Sequence, residues 1–318
     1  MGAFETQLQH TLRETDFPGL GDKYRGKVRD VYGRGDRLVL IATDRLSAFD
    51  HILTTVPFKG ELLTRTAVFW FEKTKDVVPN HLLDAPDPNV CLVRRCERVN
   101  VEVVVRGYLT GSLWRDVQEG KAGVYGVPIP EGMKKDAPFD KPIITPSTKE
   151  EVGKHDEPIS ASALVARGLC TQRDWDRISE AALAVFAQGQ KWAASRGLIL
   201  VDTKYEFGKV GDALYLIDEI HTQDCSRYWD AAEHAPRFAA GQDQKMLDKE
   251  NIRQWLIKER GFSGHGAPPA IPDEVRADLA RTYASAYERL TGQAFTPAPG
   301  DVAERIRRNL TKAGLFGS

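Results

Sequence analysis

Residues 198–219 read LILVDTKYEFGKVGDALYLIDE, and the fold turns on how this stretch is read. Leu198 to Val201 is an apolar run of strand length, after which Asp202, Lys204 and Glu206 share one face at the period of two that a β-strand imposes. Gly208 to Asp212 reads as a turn and Ala213 to Glu219 as the return strand. The hairpin thus delivers three charges at the point where a buried strand ends. With an even register, Asp218 falls on the face of Glu206. Glu206 and Asp218 are hard oxygen ligands suited to magnesium, which takes one or two carboxylates and completes its shell with phosphate oxygens and water. A solvated, salt-bridged hairpin is the competing reading of the same residues.

Upstream of this hairpin the chain is strand-rich. Tyr24 to Tyr32 and Arg37 to Thr43 are β-rich runs, and Gly33-Arg34-Gly35-Asp36 between them supplies the positive φ of a tight turn. Gly21 to Lys27 matches the spacing of a phosphate-binding P-loop, but Val28 stands where that loop needs a Ser or Thr for magnesium, and no helix follows. Glycine lets backbone approach a bulky anion, and Lys27 and Arg29, two apart in a strand, point from one face. That pattern fits a glycine-rich strand covering phosphates, as in kinases. Short helices are expected near Phe4 to Leu12 and Leu62 to Lys73, with further strands at Cys91 to Val93 and Val101 to Val105.

Beyond Gly107 the pattern shifts to longer helices. Thr171 opens a capping sequence, Trp175, Ile178, Ala182, Val185 and Trp192 share a face, and Gly197 stands at the C-terminal cap position. Helices are also expected over residues 249–259, 273–291 and 302–313. Residues 126–158 hold six prolines and read as a long irregular excursion. The expected division is an N-terminal sheet lobe over residues 1–100 and an α+β lobe over residues 101–318. Two further segments have the form of anion sites. Arg106 precedes Thr110-Gly111-Ser112 and a helix for which Ser112 is the natural N-cap, and Ser226-Arg227 offers a hydroxyl beside a guanidinium.

The 318 residues carry 44 Lys+Arg against 45 Asp+Glu, so no global field steers the chain onto a nucleic acid. The apolar runs are far below the roughly 20 residues that span a bilayer. The N-terminus lacks a basic stretch followed by an apolar one, and the four cysteines form no disulfide framework, so a cytoplasmic location is expected.

Six ordered motifs then coincide: GKVRDVY at 26–32, ATDRLSAFD at 42–50, VEVVVRGYLTGS at 101–112, ITPSTKE at 144–150, LVDTKYEFG at 200–208 and DEIHTQDCSRYWD at 218–230. In this order they resemble the SAICAR synthetase family, from about residue 16 to the C-terminus. The resemblance implies a two-lobed, kinase-like α+β fold with an antiparallel N-terminal sheet lobe, a larger mixed C-terminal lobe, and ATP in the cleft. It implies an ATP-dependent ligase that joins carboxyaminoimidazole ribotide to L-aspartate in purine biosynthesis, acting as a monomer on small molecules. By this resemblance Gly26, Lys27, Val28 and Arg29 cover the ATP phosphates, Arg98 to Glu102 form a hinge holding adenine, Lys204 lies beside the phosphates, and Glu206 and Asp218 hold Mg2+. Arg106, Ser112, Asp202, Ser226 and Arg227 hold the ribotide, and Asp202 is also the candidate base. The L-aspartate site is left open, with Asp44 to Asp50 and Ser147 to Lys149 as the stretches considered. A small-molecule kinase would share the ATP features, and a nucleotide sensor without turnover would lack the converging acids and the Arg227 loop.

Overall fold

The computed structural model describes residues 2–49, 51–149, 156–247 and 249–316, and strands and helices are mixed along the whole chain as an α+β fold requires. The elements begin with α1 (Ala3–Gln7), β1 (Asp22–Arg25), β2 (Arg29–Arg34), β3 (Arg37–Ala42), β4 (Arg45–Ala48), β5 (His51–Thr55), α2 (Lys59–Thr74), β6 (Leu82–Asp87), β7 (Val90–Arg94) and β8 (Glu97–Tyr108). They continue with α3 (Gly111–Gln118), β9 (Pro138–Thr148), α4 (Ala161–Ala166), α5 (Gln172–Ser195), β10 (Leu198–Val210), β11 (Ala213–Ile217), β12 (Ser226–Asp230), α6 (Ala231–Ala239), α7 (Glu250–Arg260), α8 (Asp273–Thr291) and α9 (Val302–Lys312). None of the helices among the described residues is long and apolar enough to cross a membrane.

Two compact units form, one from Met1–Trp70, His81–Arg95 and Leu247–Ser318, the other from Phe71–Asn80 and Cys96–Met246. A division at residue 100 therefore misplaces the C-terminal helices. Val302, Ile306 and Leu310 of α9 bury against Val39, Ile41, Val90 and Leu92 of the first sheet, while α7 and α8 pack Leu256, Leu279 and Tyr283 around Leu62 of α2 and Leu46 of β4. The apolar stripes of these helices mark them as buried, but a stripe does not say against what.

The first unit holds a five-stranded antiparallel sheet in the order β1-β2-β3-β7-β6 and the separate hairpin β4–β5. The β2–β3 turn falls at Gly35-Asp36, with Gly35 at φ +61°. The run 24–32 is not one strand. It breaks at Gly26, whose N–H donates to Arg29 O at 2.8 Å and closes a tight turn between β1 and β2. Lys27 and Arg29 consequently do not share a strand face: Lys27 sits on the turn and Arg29 begins β2.

The second unit is built on the antiparallel sheet β11-β10-β8-β9, with β12 also paired to β10. α5 packs on β10 and begins as its sequence requires: Thr171 Oγ1 accepts from Asp174 N at 3.0 Å, and Trp175, Ile178, Ala182, Val185 and Phe186 are buried. The proline-rich stretch yields a strand after all, because β9 lies at the sheet edge, where a residue without an N–H leaves no ladder partner unsatisfied.

Asp44 staples the first unit. Its carboxylate accepts from Leu12 N at 2.7 Å and Gly60 N at 2.9 Å, and the residue is almost fully buried. Burial pushes its pKa up to about 6, against the pull of those two N–H groups and of Lys59 and Arg305. Its side chain is committed to the fold and offers nothing to a ligand, and Asp50 lies outside the described residues. Between the unfolded value of 3.8 and about 6 the folded chain binds the extra proton, so this group's contribution to stability falls as pH rises through that window. The unfolding free energy of the wild type minus that of Asp44→Asn is expected to drop by about 2 kcal/mol from pH 4 to pH 7. Urea denaturation at several pH values measures it, and a flat difference would refute the assignment.

Candidate active site

Every second residue of β10 from Asp202 to Glu206 faces the same side of the second sheet, and the register puts Arg106 of β8 opposite Asp202 and Glu102 opposite Glu206. β12 brings Arg227 opposite Asp202, and β9 brings Ser147 opposite Glu102. The other face carries Thr203, Tyr205 and Phe207 with Val101, Val103 and Val105, all buried. The sheet is therefore apolar on the α5 side and charged on the other.

Two groups of charges lie along that face. In the first, Lys204 Nζ contacts Glu206 Oε1 closely, Glu102 Oε1 at 3.1 Å and Asp218 Oδ2 at 3.9 Å. Lys149, just past β9, donates to Glu102 and, at 3.0 Å, to Glu206 Oε1. Burial works to lower the Lys204 ammonium, but Glu206, Glu102 and Asp218 outweigh it and hold its pKa well above the ordinary lysine value. Burial likewise works to raise Glu102, and Lys204 and Lys149 outweigh it, leaving the carboxyl below its ordinary range.

Asp218 reaches this group by a route the hairpin register does not supply. Glu206 pairs with Ile217, so an extended Asp218 would point to the opposite face. Instead Asp218 adopts φ +69°, the left-handed region rarely visited by residues other than glycine, and that kink turns its carboxylate toward Lys204. The expected convergence is present, but its cause is backbone conformation and not an even register.

In the second group, Asp202 Oδ2 accepts from Arg227 Nη1 at 2.5 Å and lies 3.5 Å from Arg106 Nη1. Arg106 also donates to Thr145 Oγ1 at 2.7 Å and Ser112 Oγ at 3.1 Å. The N-cap of α3 is Thr110 and not Ser112, which leaves the Ser112 hydroxyl to the arginine. Gly111 sits at φ +61°, and a Cβ there would meet the Arg227 guanidinium nitrogens at 2.2 Å, so only glycine lets Arg227 lie over the start of α3. Ser226 Oγ turns away from this group and pairs with Thr203 Oγ1 at 2.7 Å on the buried face. Behind both groups, His221 Nε2 and the Tyr205 hydroxyl share a close hydrogen bond, the His221 carbonyl accepts from Tyr228 at 2.8 Å, and burial drives the His221 pKa down to about 3, so it stays neutral.

Among the other expected residues, Arg98 lies on the exposed start of β8 and donates to Asn100 Oδ1 at 3.2 Å. Glu102 is paired with β10 on one side and β9 on the other, so what it offers the site is its carboxylate. Gly26, Lys27 and Val28 form the β1–β2 turn of the first unit.

Comparison with known proteins agrees with this geometry. The family described as SAICAR synthetase matches residues 22–267. The chain belongs to the SAICAR synthetase family. A protein of Mesorhizobium japonicum named putative phosphoribosylaminoimidazole-succinocarboxamide synthase 2 is 48% identical over 310 residues, covering 95% of this chain and 99% of that one. The SAICAR synthase of Saccharomyces cerevisiae solved with SAICAR superposes with a TM-score of 0.78 at 32% identity, covering 90% of this chain and all of the other. A type-2 SAICAR synthetase solved in complex with ADP gives 0.66 at 25% identity, covering 86% of this chain and 100% of that one. The fold is thus the SAICAR synthetase fold.

Glu102 was expected at the adenine hinge and Lys149 among the stretches considered for L-aspartate, and the sequence reading did not foresee that both join the Lys204–Glu206 cluster. The signal was available: VEVVV at period two puts Glu102 on the polar side of an otherwise apolar strand. For the position of Lys149 beside Glu102 there was none, because it depends on β9 forming through its prolines.

Gly111→Ala is expected to cost more stability than Gly120→Ala. Both glycines have positive φ, at +61° and +68°, but the Gly120 position is open while the Gly111 position meets Arg227. Strain alone accounts for about 1 kcal/mol in each. Urea denaturation of the two variants checks the excess, and equal losses would show that Arg227 does not depend on Gly111.

Proposed function

We propose that the chain is an ATP-dependent phosphoribosylaminoimidazole-succinocarboxamide synthase, joining the carboxylate of carboxyaminoimidazole ribotide to the amine of L-aspartate with release of ADP and phosphate. The observation that carries this reading is the pairing, on one sheet face, of a lysine–carboxylate cluster with an arginine-rich anion site two residues away on β10. A kinase needs the first. A ligase acting on a phosphorylated acid needs both.

A carboxylate is a poor acyl donor because oxide would have to leave. Transfer of the ATP γ-phosphoryl group to a carboxylate oxygen makes phosphate the leaving group, and the aspartate amine then forms the amide bond as phosphate departs. The chain's part is positioning and charge stabilisation. In the second unit, Arg227, Arg106 and Ser112 are assigned to the ribotide phosphate, as two planar forks and a hydroxyl suit a phosphate held in one orientation. Asp202 offers its Oδ2 to both of those arginines, which fits a role in orienting them. Ser226 supports β12 from behind. Lys204 is assigned to the phosphoryl group in transfer, and Arg98 and Glu102 to the nucleotide end. In the first unit, the turn of Gly26, Lys27 and Val28, followed by Arg29, is assigned to the ATP phosphates.

Glu206 and Asp218 are the residues that would hold Mg2+. They fit it, because the Lys204 ammonium already bridges their carboxylates. Among the described residues no group of three or more His, Cys, Asp or Glu forms a closed metal cage, so the ion's remaining ligands would be phosphate oxygens and water. When bound, it supplies neutralisation of phosphate charge. Supply of ATP and free L-aspartate places the reaction in the cytoplasm.

ADP release assayed with and without each co-substrate tests the activity. It should require the ribotide and L-aspartate together, whereas release with the ribotide alone would indicate a kinase. Arg227→Lys is expected to raise the KM for the ribotide by about tenfold or more, since a point charge replaces a fork. An unchanged KM would remove Arg227 from the site. Glu206→Gln should lower kcat by about 100-fold, with the loss partly relieved at high magnesium. Wild-type kinetics at limiting magnesium would sink the metal assignment.

A further inference from the structure

We propose that Arg45, assisted by Thr43, is a positioning residue for the ATP phosphates: it draws the carbonyls of the Gly26–Arg29 turn inward so that the turn presents its peptide N–H groups to the nucleotide. The inference rests on reading that turn as the phosphate cover.

Arg45 is fully buried, and its guanidinium is spent on the fold's own acceptors. Its Nε donates to Lys27 O at 3.0 Å, and its Nη2 donates to Gly26 O at 3.1 Å and Asp30 Oδ1 at 2.8 Å. Nη1 reaches Arg13 O at 2.5 Å. Thr43 holds the next carbonyl, with Val28 O accepting from Thr43 N at 3.0 Å and from Thr43 Oγ1 at 2.8 Å. Three consecutive carbonyls, those of Gly26, Lys27 and Val28, therefore point at one buried arginine and its neighbour. No peptide bond among the described residues is cis, and in a planar trans peptide the N–H lies opposite the carbonyl of the preceding residue. Fixing the carbonyls of Gly26 and Lys27 inward thus aims the N–H groups of Lys27 and Val28 away from the guanidinium. Successive N–H groups pointing to one side form a concave anion site. This is the function a P-loop obtains from a helix N-terminus, reached here by a buried cation acting on a hairpin turn.

The guanidinium is braced from below. Asp30 accepts from Thr15 N at 2.7 Å and Thr15 Oγ1 at 2.9 Å as well as from Arg45. Its carboxyl is held below the ordinary range, because these bonds outweigh a burial that acts to raise it. Asp30 thereby compensates the charge of Arg45 within the fold, and what remains of the fork is geometric: two donors set to hold two adjacent carbonyls. Lysine keeps the charge for Asp30 but cannot span both carbonyls.

A merely structural arginine would alter stability and leave nucleotide affinity alone, so the test compares the two. Arg45→Lys and Thr43→Val are assayed for thermal midpoint, equilibrium ADP affinity, and the KM values for ATP, ribotide and L-aspartate, beside Lys27→Met. Arg45→Lys is expected to weaken ADP and raise the KM for ATP by about tenfold or more, and Thr43→Val by about fivefold, because one or two charge-assisted or neutral hydrogen bonds that orient the turn are lost. The KM values for ribotide and L-aspartate should stay within about twofold. Folded variants with wild-type ADP affinity, or with all three KM values shifted together, would overturn the proposal. Should Arg45→Lys not fold, Thr43→Val decides by the same criterion. A Lys27→Met enzyme with unchanged ATP kinetics would defeat the phosphate-cover reading itself and this inference with it. An impaired Lys27→Met beside normal Arg45→Lys and Thr43→Val would defeat this inference alone.

Discussion

Removing an ammonium or a carboxylate from water costs several kcal/mol unless partners surround it, and β10 sends three such groups to a sheet face with little solvent around it. Asp202 and Glu206 are buried, and Lys204 is only partly open. Lys204 and Glu206 pair with one another along β10, and the remaining counter-charges come from neighbouring strands. Arg106 and Glu102 on β8, Arg227 on β12 and Lys149 beyond β9 are where those counter-charges come from. The sheet order meets the same need: β10 lies between β8 on one side and β11 and β12 on the other, so its charges have a partner strand on both edges.

Much of this was legible in the sequence, and for a definable reason. The period-two charges of 202–206, the apolar run before them and the capped α5 are local patterns, and local patterns survive into the fold. The resemblance of six ordered motifs then assigned chemistry to the residues that local pattern had already singled out. What failed to read through were features set by tertiary contact or by one torsion angle. Asp218 joins the cluster through a positive φ that no periodicity contains. The turn at Gly26 looks like a strand with a glycine in it until Arg45, nineteen residues downstream of Gly26, is seen to hold its carbonyls. β9 forms through Pro142 and Pro146 because it is an edge, and edge status belongs to the sheet and not to the segment. The destination of α7 to α9 is of the same kind.

The arrangement also explains why so many buried ion pairs are retained when such pairs add little net stability. A buried pair is weak as a source of folding free energy, but breaking one partner leaves a charge stranded, which penalises any alternative register. On β10 a one-residue slip would bury Asp202, Lys204 and Glu206 against α5 and expose Thr203, Tyr205 and Phe207. The charges thus define the register that the function needs.

The two groups differ in the cation they use. The anion site two residues along β10 is built from arginines, whose planar forks fix direction as well as charge, and Gly111 leaves just enough room for one of them. The carboxylate cluster uses lysines, which act as mobile point charges on flexible stems. Lys204, with three carboxylates around its ammonium, is held charged in spite of its burial, so that a flexible stem carries a cation whose charge its neighbours secure.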